Sequence, residues 1–402
     1  MEKKQSIMSK IAGRLESIYY VTADEMRNVF RDTGVMIFFF VVPLAYPLLY
    51  TFIYNNETVR EVPVVLIDNA STPQSRDFAR RVDGTPDVRI AYRATDMDHA
   101  RELLARKEAY GIIYIPSDFS RNIGLGGQSH VSLYCDMSSL LFYKAMLVAL
   151  TDVSLEMGAE IEQHNLQGLT ERQQETASMP IENEWVALFN PQSGFASFLI
   201  PAILIIIIQQ TLLLGVGMLA GTARQNNALH RLVPKLPHYN GTFRVVLGKG
   251  LAYFIIYVVV TMYMVEAVPS IFSIPKIGLA WTKVLFLLPF LTASIFFAMF
   301  LSTVMKGRES PMLVFVFTSV PILFISGVSW PEAAVPDFWK WIGWVIPSTH
   351  GVQGFIKINT MGASIYEVTR EYIALWVLTG IYMTLTCMAY RRIIRKNRLQ
   401  ST

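Results

Sequence analysis

The stretch Ser326–Gly362, SGVSWPEAAVPDFWKWIGWVIPSTHGVQGFIKINTMG, decides how the rest of the chain is read. It is too apolar for a soluble loop and too broken by proline to cross a membrane as one helix. Pro331, Pro336 and Pro347 each remove a backbone donor and disfavour helix just before them. Four of the seven tryptophans lie here: Trp330, Trp339, Trp341 and Trp344. Indole rings collect where one edge meets water and the other meets hydrocarbon. The pattern predicts two short helices that enter one leaflet between two full spans, a re-entrant hairpin over 327–365. Backbone at that depth needs cover from protein or a wet cavity, so the hairpin belongs inside a helical assembly. An interfacial loop that only anchors the chain is the alternative.

The composition agrees with a membrane setting. Of 402 residues, 52% are hydrophobic and 16% charged, against roughly a quarter charged in soluble domains. The two cysteines fall far apart, Cys135 in a polar region and Cys387 in the last apolar segment. They build neither a disulfide framework nor a zinc site. About thirty mostly polar residues precede the first apolar run, and Leu48-Leu49-Tyr50 offers no small-residue cleavage site, so the first span is expected to be kept.

In chain order, 1–32 reads as an amphipathic helix with Ile11, Leu15, Ile18, Thr22, Met26 and Val29 on one face. Lys10, Arg14, Asp24 and Arg31 fall elsewhere. A surface-lying membrane helix and a plain cytosolic helix both fit. Residues 33–55 hold the first span, with Pro43 and Pro47 as expected kinks. Residues 56–190 are mixed. The runs 62–68, 88–92, 111–115 and 131–135 read as strands, 73–82 and 96–107 as helices, and 138–166 as one long helix. Alternating strands and helices predict an inserted α/β domain, followed by a polar linker at 168–180. Apolar segments at 195–220, 245–268, 284–304, 311–326 and 372–390 then predict five further spans in 191–402. The 311–326 segment is short unless Ser326–Trp330 extends it. The fold class expected is thus an α-helical integral membrane protein with six spans.

Lysine and arginine set the orientation. One set of short loops carries 18 and the opposite set five. The richer side is expected in the cytoplasm, with both termini inside and the α/β domain and hairpin outside.

Enzyme signals are weak. A phosphate-binding loop needs Gly, four residues, then Gly-Lys-Ser/Thr. Gly248-Lys249 is followed by Gly250, and Phe243 stands five before Gly248. Gly362-Ala363-Ser364 with His350 faintly matches an intramembrane serine protease, but Ser364 precedes the last span. Inside the spans, Gln209 and Gln210 either line a solute path or bond a neighbouring helix. Glu266 either snorkels or faces a cavity. The loop 223–238, ARQNNALHRLVPKLPH, can form a short basic helix between two spans. Its Leu229 and Leu232 share a face flanked by Arg224 and Arg231, a natural contact for a cytosolic partner. A charged loop that only fixes topology is the alternative.

Together these pieces resemble the membrane subunit of an ATP-binding-cassette exporter of the second type, over nearly the whole chain. The family has Ser-Gly near the end of its fifth span, then prolines, a short helix, a proline, and a second helix ending near glycine. Here these are Ser326-Gly327, Pro331, Pro336, Pro347 and Gly362. Arg31-Asp32 before the first span, Asn190-Pro191 with Pro201 at the second, and Gly248-Lys249 at the third match as well. Asp68, the strand ending at Asp136 and the helix after Ser138 resemble the subgroup with a large outer domain. The chain departs from the family at Gln225-Asn226-Asn227, where acidic residues and Gly-Thr are usual.

The resemblance implies a permease that binds no cofactor itself, with ATP and Mg held by a separate cytosolic ATPase on the 223–238 loop. It also implies a second permease copy or paralogue, room for a periplasmic adaptor, no nucleic acid, and residence in a bacterial inner membrane. A drug, lipid or glycolipid is the substrate class it suggests. The rival from another class is a non-transporting sensor or ectodomain anchor.

Overall fold

A computed structural model describes residues 2–55, 57–165, 188–190, 194–226 and 241–399. The chain divides into two compact units. One comprises Met1–Glu57 with Ala187–Thr402, the other Thr58–Val186.

The first unit is helical. It begins with α1 (Glu2–Arg31) and α2 (Thr33–Tyr54). Asp32 breaks the chain between them and caps α2, accepting the N–H groups of Gly34 at 3.0 Å and Val35 at 3.2 Å. This satisfies two of the four unpaired donors at a helix start. Within α2, Ile37–Val41 is a π segment; Pro43 follows in the first turn after it, and Pro47 lies inside the helix. The remaining helices are α7 (Phe195–Gln225), α8 (Thr242–Ile271), α9 (Ala280–Ser302), α10 (Ser310–Ile325), α11 (Asp337–Trp344), α12 (Pro347–Met361) and α13 (Thr369–Leu399).

Five of these are long and apolar enough to cross a membrane: α2, α7, α8, α9 and α13. The expected fifth span, α10, has 16 residues, which at 1.5 Å per residue is about 24 Å against a hydrocarbon core of about 30 Å. The extension through Ser326–Trp330 does not form, because Gly327 takes φ +87° and turns the chain. A core of apolar side chains joins α7, α8, α9, α12 and α13, with Tyr257, Phe286, Phe290 and Phe355 fully enclosed. Of the face expected on α1, Thr22 and Val29 are buried, whereas Leu15 is 62% exposed. The side chains of Lys10 and Ile11 lie outside the described ones.

The second unit carries β1 (Val62–Asp68), α3 (Pro73–Asp83), β2 (Val88–Arg93), α4 (Met97–Ala105), β3 (Gly111–Ile115), α5 (Phe119–Gly124), β4 (Ser132–Cys135) and α6 (Leu140–Asn165). The order in the sheet is β2-β1-β3-β4. β1 runs parallel to both β2 and β3, and β4 runs antiparallel to β3. Side chains on β1 alternate between two cores, as the period of two demands. Val62, Val64 and Leu66 join Phe78, Phe119 and Met146 on one face; Val65 and Ile67 join Ala100 and Leu103 on the other. Thr72 and Ser75 close a capping box on α3, and Asp96 caps α4 through the His99 N–H at 2.8 Å. The four strands and the helices α3, α4 and α6 lie within a few residues of where the sequence placed them, whereas α5 was not placed. The 168–180 linker falls outside the described residues.

Candidate functional site

The hairpin region is built by its prolines and two glycines. Gly327 and Gly362 have φ +87° and +73°, a conformation that L side chains rarely adopt. An added Cβ on Gly327 would meet nothing nearer than 3.6 Å, so backbone shape rather than space requires glycine there. Ser326 bonds back to the Leu323 carbonyl at 2.6 Å. A short 3-10 turn, Glu332–Ala334, follows Pro331. Pro336 leads into α11, and Pro347 opens α12 as its first residue, where a missing N–H costs nothing.

The two hairpin helices differ. α12 is sunk among α7, α9 and α13, with Ser348, Val352, Phe355 and Ile358 buried. Gly351 and Gly354 let it approach α9: a Cβ on either would come within 2.5 Å and 2.3 Å of the Phe290 and Phe286 rings. α11 keeps its aromatic face open, with Phe338 and Trp341 exposed. His350 of α12 meets the Trp344 carbonyl at 3.1 Å and stacks edge-on against its ring. Ser364 is exposed and gives both its N–H and its hydroxyl to Glu367, at 2.6 and 3.0 Å. The serine and histidine of the protease reading each have a different partner.

Gln209 lies wholly buried in α7. Its Oε1 accepts the Ser348 N–H at 2.7 Å, so it satisfies one unpaired donor at the start of α12. Gln210 is buried beside it, and its amide has no hydrogen bond among the described residues. Glu266 sits in a π segment of α8, Tyr263–Ala267. It accepts from Lys276 at 2.9 Å and from Lys283, which is 3% exposed. Two ammonium groups thus contact the carboxylate, whose side chain stays 28% exposed.

At the other end of the bundle, where the basic loops gather, ion pairs bind the helices together. Thr22 of α1 donates to the Gly248 carbonyl at 2.9 Å, and a Cβ on Gly248 would meet Val21 at 2.7 Å. The glycine lets α1 and α8 touch. The next residue, Lys249, pairs with Glu25 of α1 at 2.8 Å, both side chains 4% exposed. Tyr253 donates to the second Glu25 oxygen. Asp32 receives Arg308 through both oxygens, at 2.6 and 2.8 Å, and Arg308 also donates to Thr222 of α7 at 2.9 Å. Partial burial pushes the Asp32 carboxyl up, but Arg308 and the α2 N–H groups outweigh it and hold the group below its ordinary value.

Arg224 turns inward rather than toward a partner's rim. Its guanidinium donates to the carbonyls of Thr303 and Met305, just past the end of α9, where unpaired acceptors attract a cation. Leu229, Arg231 and Leu232 lie outside the described residues. Glu25, Lys283 and Arg308 were missed in the sequence. The signal for Glu25 was present: it falls three after Thr22 and four before Val29, on the apolar stripe, and an acid there demands a buried cation.

Among the described residues no group of three or more His, Cys, Asp or Glu could hold a metal ion. A family model described as "ABC-2 family transporter protein" matches residues 34–388. No curated protein matches the chain.

Proposed function

The chain belongs to the ABC-2 family of transporter proteins, and we propose that it is the permease subunit of an exporter driven by a separate cytosolic ATPase. It is a multi-pass membrane protein and the membrane subunit of an ABC transporter. Orientation, direction and substrate are the proposed parts. The basic end, with both termini and the loop 223–238, faces the cytoplasm. The α/β unit and the hairpin face outward, in the inner membrane of a bacterium. The six crossings are the five long helices with α10 as a short sixth.

The observation that carries this reading is the family match across 34–388, from the first span to the last. The ion pairs at the basic end support the mechanism. Together with the hydrogen bonds of Arg308 to Thr222 and of Arg224 to the chain just past α9, they tie α1, α2, α7, α8, α9 and the start of α10 to one another, so a push on the loop between α7 and α8 moves several helices as one body. ATP and Mg would be bound by the partner, and a second copy or a paralogue would supply the other wall of the path. Gln209 and Gln210 are buried within this single chain, so any role on the path needs rearrangement or the second copy. Amphipathic solutes such as a drug, lipid or glycolipid suit the apolar walls, and a periplasmic adaptor is a further candidate partner.

Affinity purification of the full chain from its own membranes tests the partnership. Recovery of a stoichiometric ATPase chain carrying a phosphate-binding loop supports it. Recovery of the chain with no such ATPase, after crosslinking in the membrane, overturns it.

A further inference from the structure

The α/β unit contains a cleft of about 460 Å³ among α3, α5 and α6. The cleft opens to solvent, and its volume lies in the range of small-molecule sites. Its floor is the unit's own core. Phe78, Phe119 and Met157 line it while remaining 2%, 4% and 7% exposed.

Two features show that the opening is kept by sequence. Gly158 stands in the interior of α6, where glycine is among the poorest helix formers. It lines the cleft, and a Cβ built on it meets nothing within 4 Å. No close contact requires glycine there; its effect is to leave room. Ser129 also lines the cleft, and its buried hydroxyl has no hydrogen-bond partner among the described residues. A buried hydroxyl without a partner is costly, and a small shift of the cleft wall would bring it to a polar atom of a ligand.

The charge of the lining selects the ligand. Among the described residues that line the cleft, Glu162 is the charged one, and none is a lysine, arginine or histidine. An anionic head group would meet a carboxylate with nothing to offset it, whereas a cation would be attracted. We propose that this cleft binds a cationic amphiphile, its apolar body against Phe78, Phe119 and Met157, a heteroatom at Ser129 and its charge at Glu162. This site goes beyond the export reading and stands without it, since binding to the unit requires neither ATP nor transport.

The test is fluorescence anisotropy of rhodamine 6G, a cationic dye, with the full chain in lipid nanodiscs and empty nanodiscs as the baseline. Fluorescein is the anionic counterpart. Gly158→Leu fills the cleft from a helix position with free space, so binding should fall at least about tenfold while the unfolding temperature stays level or rises. Ser154→Leu, one turn earlier on the same helix, repeats the block. Glu162→Lys, on the exposed rim, should weaken binding by about tenfold without altering the fold. Saturable dye binding above baseline that Gly158→Leu, Ser154→Leu and Glu162→Lys each weaken, with no fluorescein binding, supports the proposal. Absence of saturable binding, equal binding by the filled or charge-reversed variants, or equal binding of fluorescein overturns it. None of these outcomes depends on whether the chain exports anything.

Discussion

Removing Glu25 should damage the membrane unit more than any surface charge would. Its carboxylate and the Lys249 ammonium face each other at 2.8 Å with 4% of each side chain exposed. Glu25→Leu leaves the lysine charged, buried and without that carboxylate. Breaking one side of a buried pair costs about 3–5 kcal/mol, and the Tyr253 hydroxyl, which donates to Glu25, loses its acceptor at about 1–3 kcal/mol more. The double variant Glu25→Leu with Lys249→Met removes both charges and keeps volume. It should recover most of the loss, leaving roughly the Tyr253 share of about 1–3 kcal/mol. The assay is thermal unfolding of purified protein in one detergent, with all four members of the cycle compared. A coupling energy of a few kcal/mol is expected. Single variants within 1 kcal/mol of wild type, or a double variant no more stable than Glu25→Leu, would refute the claim that this pair closes α1 onto α8.

Other substitutions probe the hairpin, the loop and the α/β unit. Gly327→Leu forces a side chain into φ +87° at about 1–2 kcal/mol, and solute flux should fall while membrane insertion persists; Ser364→Ala, which loses only an exposed contact to Glu367, should leave flux at the wild-type level. Leu229→Asp should reduce recovery of the ATPase by at least about tenfold with unchanged insertion, because Leu229 and Leu232 share one face of the expected loop helix; undiminished recovery would move the contact to α1. The Lys107 ammonium, with Ser138, holds the half-buried Asp136 carboxyl at about 2 against an ordinary 3.8. A depressed folded value means the stabilisation is complete above about pH 4 and is lost as pH falls to about 2. Asp136→Asn should therefore flatten that limb of acid unfolding, followed by hydrogen exchange at β4, and an unchanged limb would show that Asp136 contributes nothing.

The α/β unit was legible because its signals are local. Alternation along 62–68, the Thr72 and Asp96 caps and the β-branched runs act over a few residues, and β3 falls at 111–115 as its pattern predicts. The hairpin was legible for the same reason, since Pro331, Pro336, Pro347 and Gly327 constrain their own backbone. The asymmetry of its helices was not. Burial of α12 depends on Phe286 and Phe290, which stand more than fifty residues earlier and meet Gly351 and Gly354 only in the fold. The ion pairs were hidden by distance in the same way: Glu25 finds Lys249, Asp32 finds Arg308, and Glu266 finds Lys283 across helices. Charge counts gave a side for each loop but no partner for any charge. The shortfall of α10 was visible as length, and its true end at Ile325 was set by the turn at Gly327.

Export requires this permease to move a solute outward on energy delivered by a separate ATPase. Inverted membrane vesicles containing the chain and its co-purified ATPase test it directly, because outward export becomes uptake into the vesicle. With rhodamine 6G as solute, uptake should require ATP and disappear when the lysine of the ATPase phosphate-binding loop is replaced, with both proteins still present at wild-type levels. Uptake that persists without ATP or without that lysine, or release of preloaded dye on adding ATP, would contradict it.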